Sequence, residues 1–380
     1  MPKHIVIDAR IRRTSTGRYV DRLVDHLQDI DRYNSYTILV QPDDNWQMKA
    51  ANFKTLPCPF PQFSMSPLPD LKFALQLYKL RPDLVHFSMT QQPLLYFGKI
   101  VTTTHDLTMF RFVRRGQTSK PVFAVKMGLY RFLFKWSHMK SDRIIVPTRY
   151  VADDLAAYQP STKHKIVVTY ESGELPKTGA AKRPTAVGEN DEFIMYLGTA
   201  FPHKNLPRLV EAFEIIKAAH PKLKLVLVGK TEKHYEDLAK FASNQPHAED
   251  IIITGFLPDD EAKWLYQHTK AYVFPSLSEG FGLPALEAMG YGAPVVSSDA
   301  TCLPELYGNA AHYFDATSPQ DIAKKVAEVI SSKTLRDKLV KNESGVLAKY
   351  SWTKMAGETL DAYQDVLAAK NPAKEPDFDS

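Results

Sequence analysis

Short apolar runs alternate with amphipathic segments along most of the chain. In the first half, the apolar runs predict strands, and the segments between them, with apolar residues every three or four positions, predict helices. This alternation is typical of a parallel sheet covered on both faces, that is, of a doubly wound α/β domain. The predicted strands are 4–8, 37–40, 84–87, 100–103, 143–147 and 165–169, and the predicted helices are 19–28, 71–80, 122–137 and 151–157.

A second series of the same kind follows. Residues 174–190 mix Pro, Gly, Ala and charged residues without periodicity, which predicts a linker between the two series. We therefore predict domains at 1–173 and 191–350, a helix at 351–369 and a disordered tail at 370–380. The strands predicted in the second series are 193–197, 223–228, 251–254, 271–274 and 294–297, and the helices are 205–219, 235–244, 259–267, 284–289 and 319–331.

Composition agrees with two globular domains. The chain has 380 residues, which is more than one hydrophobic core usually serves, and 44% of them are hydrophobic and 24% charged. A net charge of +5 suits an anionic small ligand or a membrane surface as well as nucleic acid, so charge alone decides nothing. We expect no nucleic-acid partner.

The cysteines and the amino terminus indicate the compartment. Cys58 and Cys302 are too far apart in sequence for a disulfide framework or a metal site, which favours a reducing environment. Residues 1–10 lack the pattern of a signal peptide, and no window is long and apolar enough for a spanning helix. We expect a cytoplasmic protein, with the inner face of the cytoplasmic membrane as an alternative location.

The segment 275–294 carries the strongest chemical signal. In it, a glycine-rich loop follows a predicted strand and opens onto a short predicted helix, so backbone amides at the helix start can face phosphate oxygens. Gly280 and Gly282 permit a close approach of the backbone to an anion. The amides concerned are those of Phe281, Gly282 and Leu283.

Two carboxylates flank this loop. Glu279 and Glu287 are eight positions apart, and carboxylates beside an anion-binding loop are unfavourable unless they accept hydrogen bonds from hydroxyl groups. A sugar nucleotide supplies both the phosphates and the hydroxyls.

A second candidate phosphate site lies at residues 195–206. Gly198 ends a predicted strand, and Lys204 stands just before a predicted helix, where a cation is unfavourable unless an anion is near. A lysine in this position can neutralise a departing diphosphate. The alternative is an ordinary surface lysine in the first turn of a helix.

Two features of the first half of the chain give weaker evidence for a ligand site when each is taken by itself. His105 and Asp106 directly follow the strand at 100–103, where His105 could exchange a hydrogen bond with a sugar hydroxyl or simply be structural. Gly17 follows the first strand and either lets a ligand approach the backbone or only forms a turn. Positive potential from Arg12, Arg13 and Arg18 would favour a ligand there.

The segment 278–299, SEGFGLPALEAMGYGAPVVSSD, resembles the E-x7-E region of retaining glycosyltransferase family 4, and Gly198 with Lys204 resembles that family's G-x5-K phosphate site. The resemblance implies the GT-B fold, with two Rossmann-like domains facing a central cleft and a terminal helix that returns to the first domain. It assigns Glu279 to the donor sugar and Glu287 to the ribose. The amides between them would bind phosphate.

The resemblance also covers the first half and the base site. It implies that His105 contacts the donor sugar and that the loop of Gly17 borders the donor phosphate and the acceptor. An arginine usually stands where this chain has Thr199, and His203 or Lys230 could supply the missing charge. The base would bind near residues 229–230 and 255–257, which include Phe256 and Leu257.

The family resemblance implies a retaining glycosyltransferase that moves a hexose from a nucleoside diphosphate sugar to a glycan or lipid-linked acceptor. His105, Lys204 and Glu279 are the expected catalytic residues, the leaving diphosphate takes the acceptor proton, and neither a metal nor a further cofactor is needed. LGTxxxHKNL together with THDL is similar to bacterial mannosyltransferases that build surface polysaccharides, which favours GDP-mannose and leaves UDP-sugars open. The alternatives are a UDP-sugar epimerase and a non-catalytic sugar-nucleotide-binding protein.

One segment, 111–143, is basic and aromatic. Its apolar residues run almost all round the predicted helix, which favours a helix buried in the core of the first domain. Contact with a membrane surface is the alternative.

Overall fold

The computed structural model describes residues 1–14, 16–61, 67–112, 119–174 and 179–369. The strands are β1 (His4–Asp8), β2 (Ser35–Val40), β3 (Phe53–Pro57), β4 (Leu84–Phe87), β5 (Ile100–Thr103), β6 (Arg143–Val146), β7 (Ile166–Val168), β8 (Phe193–Leu197), β9 (Lys224–Val228), β10 (Ile251–Gly255), β11 (Ala271–Phe274), β12 (Val295–Ser298) and β13 (Ala311–Phe314). The helices are α1 (Gly17–Ile30), α2 (Pro67–Leu80), α3 (Thr108–Arg111), α4 (Lys120–Lys140), α5 (Arg149–Tyr158), α6 (Leu206–Lys217), α7 (Lys233–Ala242), α8 (Asp259–His268), α9 (Leu283–Gly290), α10 (Leu303–Tyr307), α11 (Pro319–Ser331), α12 (Lys333–Leu347) and α13 (Trp352–Ala368).

The chain forms two compact units. Unit 1 comprises Met1–Leu107, Arg114–Glu171 and Trp352–Ser380, and unit 2 comprises Thr108–Val113 and Ser172–Ser351. The described part of the segment predicted as a linker belongs to unit 2, where the Lys182 amide donates to the Asp260 carbonyl. The tail predicted to be disordered, 370–380, lies outside the described residues.

Unit 1 is built on a parallel sheet in the order β3-β2-β1-β4-β5-β6-β7. Strand β1 has an apolar middle because helices cover both faces of the sheet, and Ile5, Val6 and Ile7 are fully buried. Helix α13 packs against α1. The hydroxyl of Tyr363 on α13 hydrogen-bonds His86 Nδ1 on β4 at 2.5 Å, which ties the carboxyl-terminal helix to the centre of this sheet.

Unit 2 contains a second parallel sheet, in the order β10-β9-β8-β11-β12-β13. The chain runs from β8 outward through β9 to β10, then returns to the other side of β8 and continues from β11 to β13. The strand order therefore reverses between β8 and β11. In open parallel sheets, a crevice forms at such a reversal, beyond the carboxyl ends of the strands, and ligands bind there.

The sequence pattern missed three long or regular elements, namely β3, β13 and α12. β3 is an edge strand in which only Phe53 is buried, and the edge strand β13 buries only its first and last residues, so neither shows an apolar run. Helix α12 is highly charged, and it buries only Leu339, Glu343 and Val346. The other strands and long helices of both series are confirmed, with small shifts at their ends.

The expectation that the basic and aromatic helix is buried was wrong. In α4 only Phe134, Ser137 and His138 are buried, and most of the remaining residues are exposed. The apolar residues lie all round the helix because it has two separate apolar faces, of which the sheet covers one. Within the described residues, no helix is both long enough and apolar enough to cross a bilayer.

Candidate functional site

Glycines end three neighbouring strands of unit 2. Gly198 follows β8, Gly229 follows β9, and Gly255 is the last residue of β10. The Gly229 amide donates to the Gly255 carbonyl oxygen at 3.1 Å. A Cβ atom at Gly229 would lie 2.2 Å from the Gly198 carbonyl oxygen, so these backbones approach too closely for any side chain. The three glycines form a side-chain-free rim at the carboxyl edge of the sheet.

Lys204 and Glu279 meet at the reversal of strand order. Lys204 ends a short 3-10 turn after β8, and Glu279 lies in the loop after β11. Lys204 Nζ lies 2.6 Å from Glu279 Oε1, and the two side chains are only 15% and 11% exposed. Partial burial strengthens such a charged pair relative to an exposed one. The structure thus brings together residues predicted from two separate motifs, which are 75 positions apart in the sequence.

Asn205 holds this arrangement in place and was not predicted. It adopts a left-handed backbone conformation with φ of 62°, which ends the turn and starts α6. Its buried side-chain nitrogen donates to the carbonyl oxygens of Pro275 at 3.1 Å and Ala316 at 2.8 Å. The loops after β8, β11 and β13 are therefore bonded through one amide. Asparagine's tolerance of the left-handed region was the only sequence signal for it.

The loop before α9 is fixed by partners from α10 and the turn before it. The Glu279 amide donates to Thr301 Oγ1 at 3.2 Å, and the Tyr307 hydroxyl donates to the Gly282 carbonyl at 2.6 Å. Gly282 has φ of 94°, and a Cβ atom there would lie 2.2 Å from the Tyr307 hydroxyl oxygen. Conformation and space both require glycine at this position. The buried Cys302 thiol also donates, to the Glu279 carbonyl at 3.4 Å.

The other predicted residues of unit 2 occupy the same edge of the sheet. Glu287 is half-buried in α9, which begins at Leu283 directly after the loop residues Gly280, Phe281 and Gly282. Phe281 turns its ring towards Tyr350, with centroids 5.8 Å apart, so it presents backbone and not side chain to the loop interior.

Thr199 and the predicted base site lie at the ends of β8 to β10. The Thr199 carbonyl accepts a hydrogen bond from the Tyr196 hydroxyl at 2.9 Å. Of the two candidates for the missing arginine charge, His203 is half-buried in the turn of Lys204, and Lys230 is exposed at the end of β9. Directly after Gly255, Phe256 is 69% exposed, beside the half-buried Leu257.

In unit 1, His105 follows β5 as predicted and has a partner that the sequence pattern missed. His105 Nδ1 lies 3.5 Å from a carboxylate oxygen of Glu171, which stands three residues after β7, and His105 Nε2 lies 3.0 Å from the Ser88 carbonyl oxygen. Burial alone would lower the pKa of His105, but the hydrogen bonds to Glu171 and Ser88 and the negative charges of Glu171 and Asp106 together raise it. The geometry favours a positively charged imidazolium.

A second, neutral histidine lies behind His105. His86 Nε2 is 2.8 Å from Thr103 Oγ1, which is 3.0 Å from the Tyr19 hydroxyl, and the Tyr19 ring packs edge-on against His105. Burial, together with the nearby His105, lowers the pKa of His86 to about 3. The cluster therefore pairs a histidine with a raised pKa at the strand end and a histidine with a lowered pKa inside the sheet.

The structure gives the amino-terminal loop a different character from the one expected. A Cβ atom at Gly17 would lie 2.5 Å from the Ile11 carbonyl oxygen, so glycine there permits close packing of the loop on the start of α1. Arg12 is paired with Asp44 at 2.8 Å and lies against the Trp46 ring, and Arg13 is paired with Asp43 at 2.7 Å. The expectation that these two arginines add positive potential was wrong, because neighbouring carboxylates neutralise them.

Two protein-family models match the chain and together span most of it. The model of the glycosyl transferases group 1 matches residues 178–345, and the model of glycosyltransferase family 4 matches residues 16–171. The chain belongs to the group 1 and family 4 glycosyltransferases. The resemblance seen in the loop around Glu279 is thereby confirmed and extends through both units of this glycosyltransferase.

Relatives of this glycosyltransferase include two from Escherichia coli. The chain is 28% identical to the serotype-specific mannosyltransferase WbdA over 249 residues, which are 65% of this chain and 29% of WbdA. It is 29% identical to O-antigen chain mannosyltransferase B over 284 residues, which are 70% of each protein. The chain therefore spans less than a third of the length of WbdA.

Solved structures share the fold at low identity. Sucrose-phosphate synthase from Thermosynechococcus elongatus has a TM-score of 0.76 at 16% identity, covering 97% of this chain and 100% of that one. HepE of Anabaena in complex with UDP and glucose has a TM-score of 0.70 at 14% identity, covering 96% and 100%. The predicted GT-B fold, with two parallel-sheet α/β domains, is confirmed.

Proposed function

We propose that this glycosyltransferase moves a hexose from a nucleoside diphosphate sugar to a hydroxyl of a glycan or lipid-linked acceptor, with retention of the anomeric configuration. The observation that carries the proposal is the Lys204–Glu279 pair, at 2.6 Å, at the reversal of strand order in the group 1 domain. At one edge of the sheet, a cation and the amides of a glycine loop suit the diphosphate of such a donor, and a carboxylate suits the hydroxyls of its sugar.

Lys204 supplies charge for the leaving group. When the bond between the anomeric carbon and the diphosphate oxygen breaks, that oxygen gains negative charge, and a fixed cation aimed at it lowers the barrier. The amides of Gly282 and Leu283 at the start of α9 add partial positive charge on the same anion. The acceptor oxygen forms the new bond to the anomeric carbon, and its proton passes to the leaving diphosphate oxygen, so no protein nucleophile is needed.

Glu279 then changes partners. In the structure its carboxylate accepts from Lys204, and a bound diphosphate competes for the same ammonium group. The released carboxylate oxygen can accept hydrogen bonds from hexose hydroxyls. Glu287, which lies on α9, accepts hydrogen bonds from the ribose hydroxyls. The exposed ring of Phe256 offers a stacking surface for the base.

The donor that we propose is GDP-mannose. Both Escherichia coli relatives carry the name mannosyltransferase, and a third relative is the O-antigen chain mannosyltransferase RfbU of Salmonella typhimurium. UDP-sugars are the specific alternative, because HepE binds UDP within the same fold. We keep His105 as a proposed contact of the donor sugar.

The test is donor turnover with the full chain. GDP-mannose, UDP-glucose and UDP-galactose are each incubated with a panel of mannoside and lipid-linked acceptors, and released nucleotide and the anomer of the product are measured. We expect GDP release that depends on the acceptor, and an α-linked product from the α-linked donor. Consumption of UDP-sugar without any acceptor would instead indicate the epimerase, and binding without transfer or hydrolysis across the panel would indicate the non-catalytic protein.

A further inference from the structure

Helix α4 is apolar on two faces. Its inner face, formed by Phe134, Ser137 and His138, is buried in unit 1, where His138 Nε2 lies 2.6 Å from Thr104 Oγ1. The outer face carries a second set of large apolar residues at spacings of three, four, three and seven, which keep them on one side of a helix. They are Val122, Val125, Leu129, Phe132 and Met139.

The outer face is open to solvent. Val125 is 73% exposed, Phe132 54% and Met139 57%. Isolated exposed apolar residues are ordinary on a protein surface, but a continuous stripe along five turns of one helix is not. Core packing does not account for these residues, since the inner face alone anchors the helix.

A second stripe on α2 joins the first. It consists of Leu68, Leu71, Leu75 and Tyr78, at spacings of three and four, and all four are exposed. Leu94 connects the two helices, because its amide donates to Asp70 on α2 at 2.9 Å and its carbonyl accepts from Trp136 on α4 at 3.1 Å. Two more exposed apolar side chains, Leu95 and Phe97, follow Leu94 in the loop between β4 and β5.

The charged side chains that α2 and α4 expose to solvent are all basic. Helix α4 contains no Asp or Glu at all, and the single acidic residue of α2, Asp70, is engaged by the Leu94 amide. The exposed basic side chains of the two helices are Lys72, Lys79, Lys120, Lys126, Arg131 and Lys135. Long basic side chains around an apolar stripe are what an interfacial helix presents to anionic headgroups and acyl chains.

We propose that the α2–α4 surface, defined by these two apolar stripes and their basic neighbours, binds an anionic lipid bilayer. The helices lie in the plane of the interface, with the apolar side chains entering the acyl boundary and the lysines and Arg131 contacting headgroups. A protein partner fits less well, since lysine is depleted in protein interfaces. This inference goes beyond the proposed function and does not depend on it.

Vesicle co-sedimentation of the full chain tests the proposal, with vesicles of neutral phosphatidylcholine alone or mixed with anionic phosphatidylglycerol. We expect the wild type to partition to the anionic vesicles and, much more weakly, to the neutral ones, and to be released by high salt. V125E/F132E and K126E/R131E should each weaken partitioning by about tenfold or more, the first by removing apolar insertion and the second by reversing charge.

A matched control variant tests whether added negative charge elsewhere on the surface weakens vesicle binding. Tyr33 and Ile215 are also exposed, at 63% and 43%, but lie outside α2 and α4, so Y33E/I215E changes net charge by as much as V125E/F132E does and should partition like the wild type. Far-UV circular dichroism and thermal midpoints check that all variants fold. The proposal is overturned if the wild type ignores anionic vesicles, if folded V125E/F132E binds them equally well, or if the control double variant loses as much. Self-association that V125E/F132E abolishes, without vesicle binding, would assign the surface to a second copy of the chain.

Discussion

Single residues at the candidate site act through partners that are distant in sequence. Sequence reasoning found Lys204, Glu279, Gly282 and His105 because each lies in a local motif at a strand end. It missed Glu171, because contact between the loops after two strands depends on the order of strands in the sheet. Periodicity predicts strands but does not give that order.

The pairing of His105 with Glu171 gives a residue-scale prediction. In the wild type we expect an imidazole pKa above the ordinary value of 6.5, because Glu171, with smaller contributions from Ser88 and Asp106, opposes the effect of burial. Glu171→Gln keeps the shape and removes the charge that opposes burial, so the pKa of His105 should fall below that of the wild type. Histidine resonances followed by NMR across pH 5 to 9 measure it. An unchanged titration in the variant would show that Glu171 does not hold the charge on His105.

At the scale of elements, strongly periodic segments were predictable and weakly patterned ones were not. The buried strands β1, β8 and β11 carry apolar runs that only a covered sheet explains. The edge strand β13 and the charged helix α12 have no such pattern, since tertiary contacts and not local sequence place them. For helix α4 the pattern was strong but the prediction of burial was wrong. A helix that is apolar all round is predicted to be buried, but the pattern does not show whether its second face contacts protein.

The loop that opens α9 gives the prediction at this scale. Gly282 and Gly292 both have positive φ, of 94° and 76°, but only at Gly282 would a Cβ atom meet other atoms. Gly292→Ala should therefore cost about 1–2 kcal/mol of unfolding free energy from backbone strain alone and leave turnover intact. Gly282→Ala should cost more and should also weaken donor binding, because the loop must move away from Tyr307. Chemical denaturation and donor titration compare the two variants, and equal losses would contradict the role given to this loop.

For the whole molecule, one buried carboxyl makes stability depend on pH. Glu343 on α12 is buried, and its Oε1 has no hydrogen-bond partner within the described residues. Burial raises the pKa of Glu343 to about 8, from 4.5. The folded state therefore holds this proton longer than the unfolded chain does. Its contribution to stability is complete below pH 4.5 and is lost as the pH rises towards 8.

Glu343→Gln removes that titration. We expect the variant to be more stable than the wild type at pH 8 by about 1–3 kcal/mol, with little difference at pH 4.5, because the wild-type carboxyl is then neutral. Urea unfolding at the two pH values measures the difference. The same stability change at both values would mean that packing, not charge, governs this position.

We propose that Lys204 at the reversal of strand order stabilises the departing diphosphate, and transfer kinetics test this role most directly. Lys224 is a matched control, since it forms a similar ion pair with Asp191 at 2.8 Å in the same unit but at the start of β9. With the donor that gives turnover, we predict that Lys204→Ala lowers kcat by about a hundredfold to a thousandfold, whereas Lys224→Ala leaves kcat within about twofold. Equal kcat values for Lys204→Ala and the wild type would contradict the account.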